Sequence, residues 1–447
     1  MSLPRPTRLA ALLAIAFATH AAPGHAIDLL DSYRLATQSD GQLKAARARA
    51  EAGREALPQA IGQLLPNVSA SYSRGDIEQD QKRGKVTLPT VDYVNEAKTI
   101  TLSQPIYRQY QFSQVGEARA KVRGADAQLT LDTQDMGTRV VTAYFDALFQ
   151  RDRLSFIQAQ QASVGAQLAS AKLAFAAGTG TRTDIDEAQA KLDVLVADEI
   201  QARQAIEASD QQLAIFIGQP VEGVTRIHTE RLEMAAFEPG DLQTWLERAG
   251  ESSPEVRVQR SRVDQTQAEI GMAKAGHHPT VDAVARYSNT LSESPVVVGN
   301  EYTTRYIGVQ VNIPIFAGFQ VNSQVREAVA TNMAAREQLQ FTLNDVQLRV
   351  RREYHNVREG LTRVRALETA VRSAEQVVLS NRKGVEAGTR TTLDVLNVEQ
   401  QRYNTQVELA RARYNLLVSW SRLTGLAGSL DETEVTRLNT VLQAAAR

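Results

Sequence analysis

A chain of 447 residues has room for two or three ordinary domains, yet only 6% of it is aromatic, and glycine and proline are sparse. That composition suits long hydrated helices rather than one thick core. A net charge of -1 supplies no basic field for nucleic acid, and the lack of cysteine excludes disulfides and a cysteine-linked lipid.

The first 26 residues, "MSLPRPTRLAALLAIAFATHAAPGHA", place Arg5 and Arg8 before an apolar run from Leu9 to Ala18 and small residues at Gly24 and Ala26. This is the layout of a secretory signal peptide cut after Ala26, and the run is far short of the ~20 residues a membrane span needs. No later segment is apolar enough to cross a bilayer as a helix, so any membrane entry must use strands.

From Ile27 the pattern is helical to Gly62, with a kink expected near Pro58. "NVSASYSR" then alternates, Val68, Ala70 and Tyr72 opposing Asn67, Ser69, Ser71 and Ser73. A polar stretch from Asp76 to Lys98 reads as an external loop. In "TITLSQPI", Ile100, Leu102 and Ile106 oppose Thr99, Thr101 and Ser103. A proline-free segment from Tyr110 to Ala177 follows, ~100 Å long if helical throughout. It breaks at Gly178-Thr179 and resumes from Thr183 to Ile217.

The same order then repeats at an offset of about 210 residues, which signals a duplication. A linker over 221–240 leads to a helical segment from Leu242 to Gly276. In "TVDAVARYS", Val281, Ala283, Ala285 and Tyr287 oppose Thr280, Asp282 and Arg286; in "YIGVQVNIPIF", Ile307, Val309, Val311 and Ile313 oppose Gly308, Gln310 and Asn312. Leu291 to Thr304 reads as the loop between them. A second proline-free segment runs from Gln320 to Ala387, breaks at Gly388-Thr389, and continues from Thr392 to Thr424. The units are therefore 1–26, 27–220, 221–240, 241–425 and a tail over 426–447.

Three features set the architecture. Each long helix equals two half-length ones stacked end to end, with Gly178 and Gly388 at hairpin tips. Val350, Val357, Val364, Val371 and Val378 recur every seven residues, with Tyr354 and Leu361 between, which is coiled-coil spacing. The matching positions in the first half are Val141, Leu148, Ser155, Ala162 and Ala169, small enough for closer approach. Each alternating run approaches the ~9–11 residues of a tilted membrane strand, with one apolar face. A half-buried sheet of a soluble domain gives the same alternation. In lipid, four strands cannot close a barrel and open edges are not tolerated, so copies must associate: two would supply eight strands, three would supply twelve.

The signal, the duplicated helix-strand-strand-helix order, "GTRTTLDVL" and "YNTQVELARARYNLL" together resemble the TolC family of outer-membrane efflux proteins. "IDLLDSYRLATQSDGQLKAARARAEAG" is similar to its type I secretion branch. The resemblance implies a mainly α fold with a small transmembrane β part. It further implies a homotrimer with a 12-stranded β-barrel, four strands per subunit, above a periplasmic α-barrel tunnel. A belt would form from Gly218 to Gly240 and the tail. Partners would be outer-membrane lipid, a periplasmic adaptor and an inner-membrane transporter of ABC or RND type. The tunnel would narrow at a gate to which Thr183, Asp184, Arg390 and Asp394 match, with Asn397 where the family has a second acid. Gly178, Thr179, Gly388 and Thr389 match its adaptor-docking tips.

Thr181 to Asp184 and Thr391 to Asp394 are also capping boxes, which alone explain both acids. His228, His277, His278 and His355 lack metal-ligand spacing, and no nucleophile elbow, phosphate loop or nucleotide fingerprint occurs. The expectation is a non-enzymatic duct without cofactors, exporting a protein. A multidrug efflux duct, a periplasmic coiled-coil adaptor and a passive porin are the other readings.

Overall fold

The computed structural model describes residues 26–225, 234–294 and 297–446. The expected signal peptide lies almost wholly outside the described residues, as do His228 and the middle of the linker. Helices α1 (Leu29–Ser39), α2 (Gly41–Arg54) and α3 (Ala56–Gly62) lead to strand β1 (Asn67–Gln79). A small hairpin, β2 (Lys82–Arg83) and β3 (Val86–Thr87), precedes β4 (Val91–Arg108), α4 (Gln109–Ala176) and α5 (Arg182–Ile217). The second repeat comprises α6 (Leu242–Ser252), α7 (Pro254–Lys274), β5 (Thr280–Ser294), β6 (Val297–Asn312), α8 (Gln320–Glu386) and α9 (Thr392–Leu426). Helix α10 (Glu432–Ala446) ends the chain.

The strands form one antiparallel sheet in the order β1-β4-β5-β6. The helices repeat that order. Beside the sheet, α2 and α3 flank α4, α4 packs on α7, and α7 on α8. Farther from it, α4 pairs with α5 and α9, and α9 with α8. The helices thus form a wall with α8 along one margin and α2, α3 and α5 along the other. End-to-end stacking is direct: a Cβ on Gly218, just past α5, would lie 2.7 Å from Ser39 Cβ, and one on Gly428, just past α9, 2.7 Å from the Ser252 carbonyl oxygen.

Several expected boundaries shift. The strands reach farther from the helices than their apolar alternation indicated, so much of the presumed loops at 76–98 and 291–304 is paired sheet. There the apolar residues are sparse and fall on both faces, Tyr93 on one and Val94 on the other, which hides a strand from a hydropathy argument. At the other end β6 stops at Asn312, because Pro314 cannot donate to a ladder. The first half-length helix is broken at Asp40, whose carboxylate accepts from Leu43 N, and at Glu55, just ahead of Pro58. The equivalent helix in the second repeat breaks at Ser253 before Pro254, a proline suited to a first helical turn. The presumed tail is mostly helix.

The core is thickest at the equator, where Met136, Val140, Tyr144, Phe145 and Leu148 of α4 meet Leu416, Leu417 and Leu423 of α9. Phe237, Trp245 and Trp420 join it edge to face, and Trp420 Nε1 donates to Glu434 of α10 at 2.7 Å. This is the belt. The seven-residue seam on α8 holds: Val350, Val357 and Val364 are fully buried. The seam expected on α4 holds at Val141 and Leu148, which are buried, and then fails. Ala162 and Ala169 are exposed, and the buried stripe instead follows Ile157, Val164, Leu168 and Ala171. Through the equator α4 is enclosed on most sides; below it only α5 and α9 remain, and the stripe turns toward them.

Candidate functional site

Both hairpin tips are built alike from sequence alone. Helix α4 ends at Ala176 with Ala177 as its C-cap, and Gly178 takes φ 74°, the left-handed value that glycine adopts without strain. Gly388 does the same at φ 71°. The following threonines close the helix ends: Thr179 N and Oγ1 both donate to the Ala174 carbonyl oxygen, and Thr389 N and Oγ1 to that of Gly384. Thr181 and Thr391 then cap α5 and α9. Asp184 Oδ2 accepts from Thr181 N at 3.0 Å and Oγ1 at 2.7 Å, while Asp394 Oδ2 accepts from the same groups of Thr391 at 2.9 Å each. The reciprocal bonds from the Asp184 and Asp394 amides complete two capping boxes.

The tips lie side by side, since Leu396 of α9 enters the apolar cluster of Val164, Leu168, Ile185 and Ala188. Gly178, Thr179, Thr183, Gly388, Thr389, Arg390 and Asn397 are all exposed. The stem of Arg390 lies over Gly384, where a Cβ would come within 2.6 Å of Arg390 Cγ. Asp394 is held below the usual carboxylate range by the Thr391 amide, then the Thr391 hydroxyl, with the charge of Arg390 adding to both. A lowered folded-state value means the cap is at full strength above the ordinary aspartate range and fails as acidity takes the pH down through it. Wild-type protection of the 391–395 amides is therefore expected to fall below about pH 4, while Asp394→Ala loses it already at neutral pH. Hydrogen exchange read against the intrinsic rates checks this; equal protection in both proteins at pH 7 would deny the cap.

A second feature carried no motif. The Glu399 side chain, two turns from the α9 cap, is fully buried. Its Oε2 accepts from Ser163 Oγ of α4 at 2.6 Å. Its Oε1 accepts from Arg382 of α8 through Nε at 3.1 Å and through a second, shorter contact from Nη2. Arg382 Nη2 also reaches Ser163 Oγ at 3.2 Å. This node, with Lys191 Nζ to Gln400 Oε1 at 2.6 Å, fastens the α4–α5 hairpin to the α8–α9 hairpin. The available signal was Leu396 and Tyr403 flanking Glu399 at i−3 and i+4, which sets a carboxylate on an apolar stripe.

At the opposite end, the sheet separates its two faces by register. Val68, Leu102, Ala285 and Ile307 form one row across all four strands, and Ala70, Ile100, Tyr287 and Arg305 the next. Ile307 is 89% exposed, so this apolar face has no cover within the subunit. The other face carries Asn67, Ser69, Ser71, Thr99 and Thr101, with Arg108 donating to both carboxylate oxygens of Asp282 at 2.7 and 2.8 Å across the seam between repeats. His278 Nδ1 lies 3.1 Å from Tyr107 Oη, and His277 Nε2 3.1 Å from Asn322 Oδ1.

The profile described as "Outer membrane efflux protein" matches residues 32–219 and 245–429. The proteases secretion protein PrtF of Dickeya chrysanthemi is 30% identical over 98% of this chain and 96% of its own. The alkaline protease secretion protein AprF of Pseudomonas aeruginosa is 31% identical over 92% and 86%. Among solved structures, the outer membrane protein VceC of Vibrio cholerae superposes with a TM-score of 0.73 over 90% of this chain and 97% of its own, at 18% identity. With its two repeats matched over most of their length and its helix and strand order intact, the chain belongs to the outer membrane efflux protein family.

Proposed function

We propose that three copies of this chain close into one duct, a 12-stranded barrel in the outer membrane continuous with a helical tunnel, through which a secreted protein leaves the cell. The observation that carries this reading is the pair of unsatisfied margins. Among the described residues, edge strands β1 and β6 have no partner on their outer sides, and the sheet order matches the helix order, so one rotation would close both layers. The helical margins are apolar where they face away from the subunit. Phe341 and Leu348 of α8 are each 66% exposed and lie opposite the buried Val346 and Val350, while Val194, Ile200 and Ile215 of α5 are also uncovered. Apolar stripes of this length are contact surfaces rather than solvated ones.

The tips form the periplasmic entrance. In a trimer Asp184 and Asp394 bring six carboxylates to it, with Thr183, Arg390 and Asn397 alongside, and Gly178, Thr179, Gly388 and Thr389 present the surface to a periplasmic adaptor. An inner-membrane transporter of ABC or RND type supplies the energy. Protein cargo is favoured over small molecules by the likeness to two proteins named for protease secretion. The tip is tested with Gly388→Val. No atom lies within 4 Å of the new Cβ, so only the left-handed backbone is strained, by about 1–2 kcal/mol. Assembled particles should persist while export in cells carrying the cognate transporter and adaptor stops; undiminished export would remove docking from this tip.

A further inference from the structure

We infer that the outward face of the sheet carries a binding band for the anionic, phosphate-bearing head groups of membrane lipids, built chiefly from Arg74 and Arg305. This rests on the membrane reading above. In a membrane barrel, charge is expected on the water-filled side and not on the lipid side. Register shows the reverse at the end of the sheet distant from the helices. Beyond the row of Ala70, Ile100, Tyr287 and Arg305 come Tyr72, Lys98, Asn289 and Thr303, then Arg74, Glu96, Leu291 and Glu301, all on the face that bears the apolar band. The opposite face over the same span carries Ser71, Thr99, Ser288 and Thr304, then Ser73, Ala97, Thr290 and Tyr302, with no charge at all. Charge has been moved to the outside where the hydrocarbon ends.

The cations there are not equivalent. Lys98 Nζ is engaged by Glu96 at 2.7 Å and lies 5.9 Å from the centre of the Tyr72 ring. Asn289 occupies Glu301, donating to its Oε1 at 2.5 Å. Arg74, which stands opposite Glu96 in the β1–β4 register, and Arg305, opposite Tyr287, make no ion pair within 4.0 Å among the described residues, Glu96 being engaged by Lys98 instead. Arg305 sits level with Tyr287 and Ile100, at the margin of the apolar band, from which a long side chain reaches the interface. An arginine fork matches a phosphate in two hydrogen bonds and is more weakly hydrated than an ammonium group. The occupant chosen by this arrangement is a lipid phosphate at the level of the band rather than a soluble anion, because Arg305 borders the apolar row of Ile100 and Tyr287 and Arg74 lies on the same face beyond it.

The test is native mass spectrometry of the detergent-extracted full chain titrated with phosphatidylglycerol, with phosphatidylcholine as comparison. The wild type should retain phosphatidylglycerol preferentially, and the double variant Arg74→Gln, Arg305→Gln should lose about fivefold per arginine removed. Lys98→Gln should change retention far less. Millimolar inorganic phosphate should not displace the lipid. Equal retention by wild type and double variant, or displacement by phosphate, would overturn the inference. Insertion of the wild type into vesicles of phosphatidylcholine alone is scored separately. Insertion without head-group discrimination defeats only the binding band, whereas failure to insert defeats the membrane reading beneath it.

Discussion

The double substitution Phe341→Asp, Leu348→Asp is expected to leave the chain folded and unassembled. Neither side chain is covered by its own subunit, so the protomer loses little, and circular dichroism should report unchanged helix content. At a closed margin each position would be desolvated against a neighbour. Truncating such an anchor typically costs about 2 kcal/mol or more, roughly 30-fold in association, and burying an unpaired carboxylate adds to that. Two lesions on one margin, repeated at every subunit contact, should abolish closure at any accessible concentration. Chemical cross-linking of membranes reads the result. If the variant yields the same oligomer ladder as the wild type, this face of α8 is a solvated surface and the wall closes elsewhere.

Glu399→Ala should open the duct. The carboxylate holds α4, α8 and α9 together close to the tips, through Ser163 and Arg382. Arg382 is itself half exposed, so the loss is chiefly that of charge-assisted hydrogen bonds, on the order of 2–3 kcal/mol. A coupling of that size shifts a two-state equilibrium by about 30- to 150-fold. Conductance of the isolated protein in planar bilayers should rise accordingly. Ser163→Ala, which removes one bond and leaves the ion pair, should produce a smaller rise of the same kind. A destabilised protein with unaltered conductance would confine the node to folding. Buried ion pairs are weak sources of net stability and better sources of a defined arrangement, which suits a fastening that sets how the two hairpins sit.

How far the sequence carried differs between levels. Gly178 and Gly388, the two proline-free segments and the valines of α8 established the hairpins, because glycine geometry and helical periodicity are local properties. The capping boxes were legible for the same reason. Strand existence was readable wherever one face is steadily apolar, and strand length was not: Arg74 to Gln79 has Ile77 as its one large apolar residue, and in Val91 to Lys98 the alternation of Val91, Tyr93 and Ala97 is interrupted by Val94 and Asn95, so these stretches are strand by virtue of their cross-strand partners. The expected α4 seam failed at Ala162 and Ala169 because a heptad assumes one constant neighbour, and α4 changes neighbours at the equator. The Glu399 node was invisible for a related reason: Ser163 lies 236 positions away in the chain, and the first repeat has Lys172 and Gln189 at the positions corresponding to Arg382 and Glu399. Duplication supplied the scaffold twice, and the fastening was written into one copy.

Closure of identical walls is the claim on which the barrel, the tunnel and the entrance all depend. Native mass spectrometry of the protein extracted from membranes in mild detergent counts the chains per particle directly. Three chains are expected, giving twelve strands with no free edge. A folded single chain, or a stable particle of two, would contradict the account.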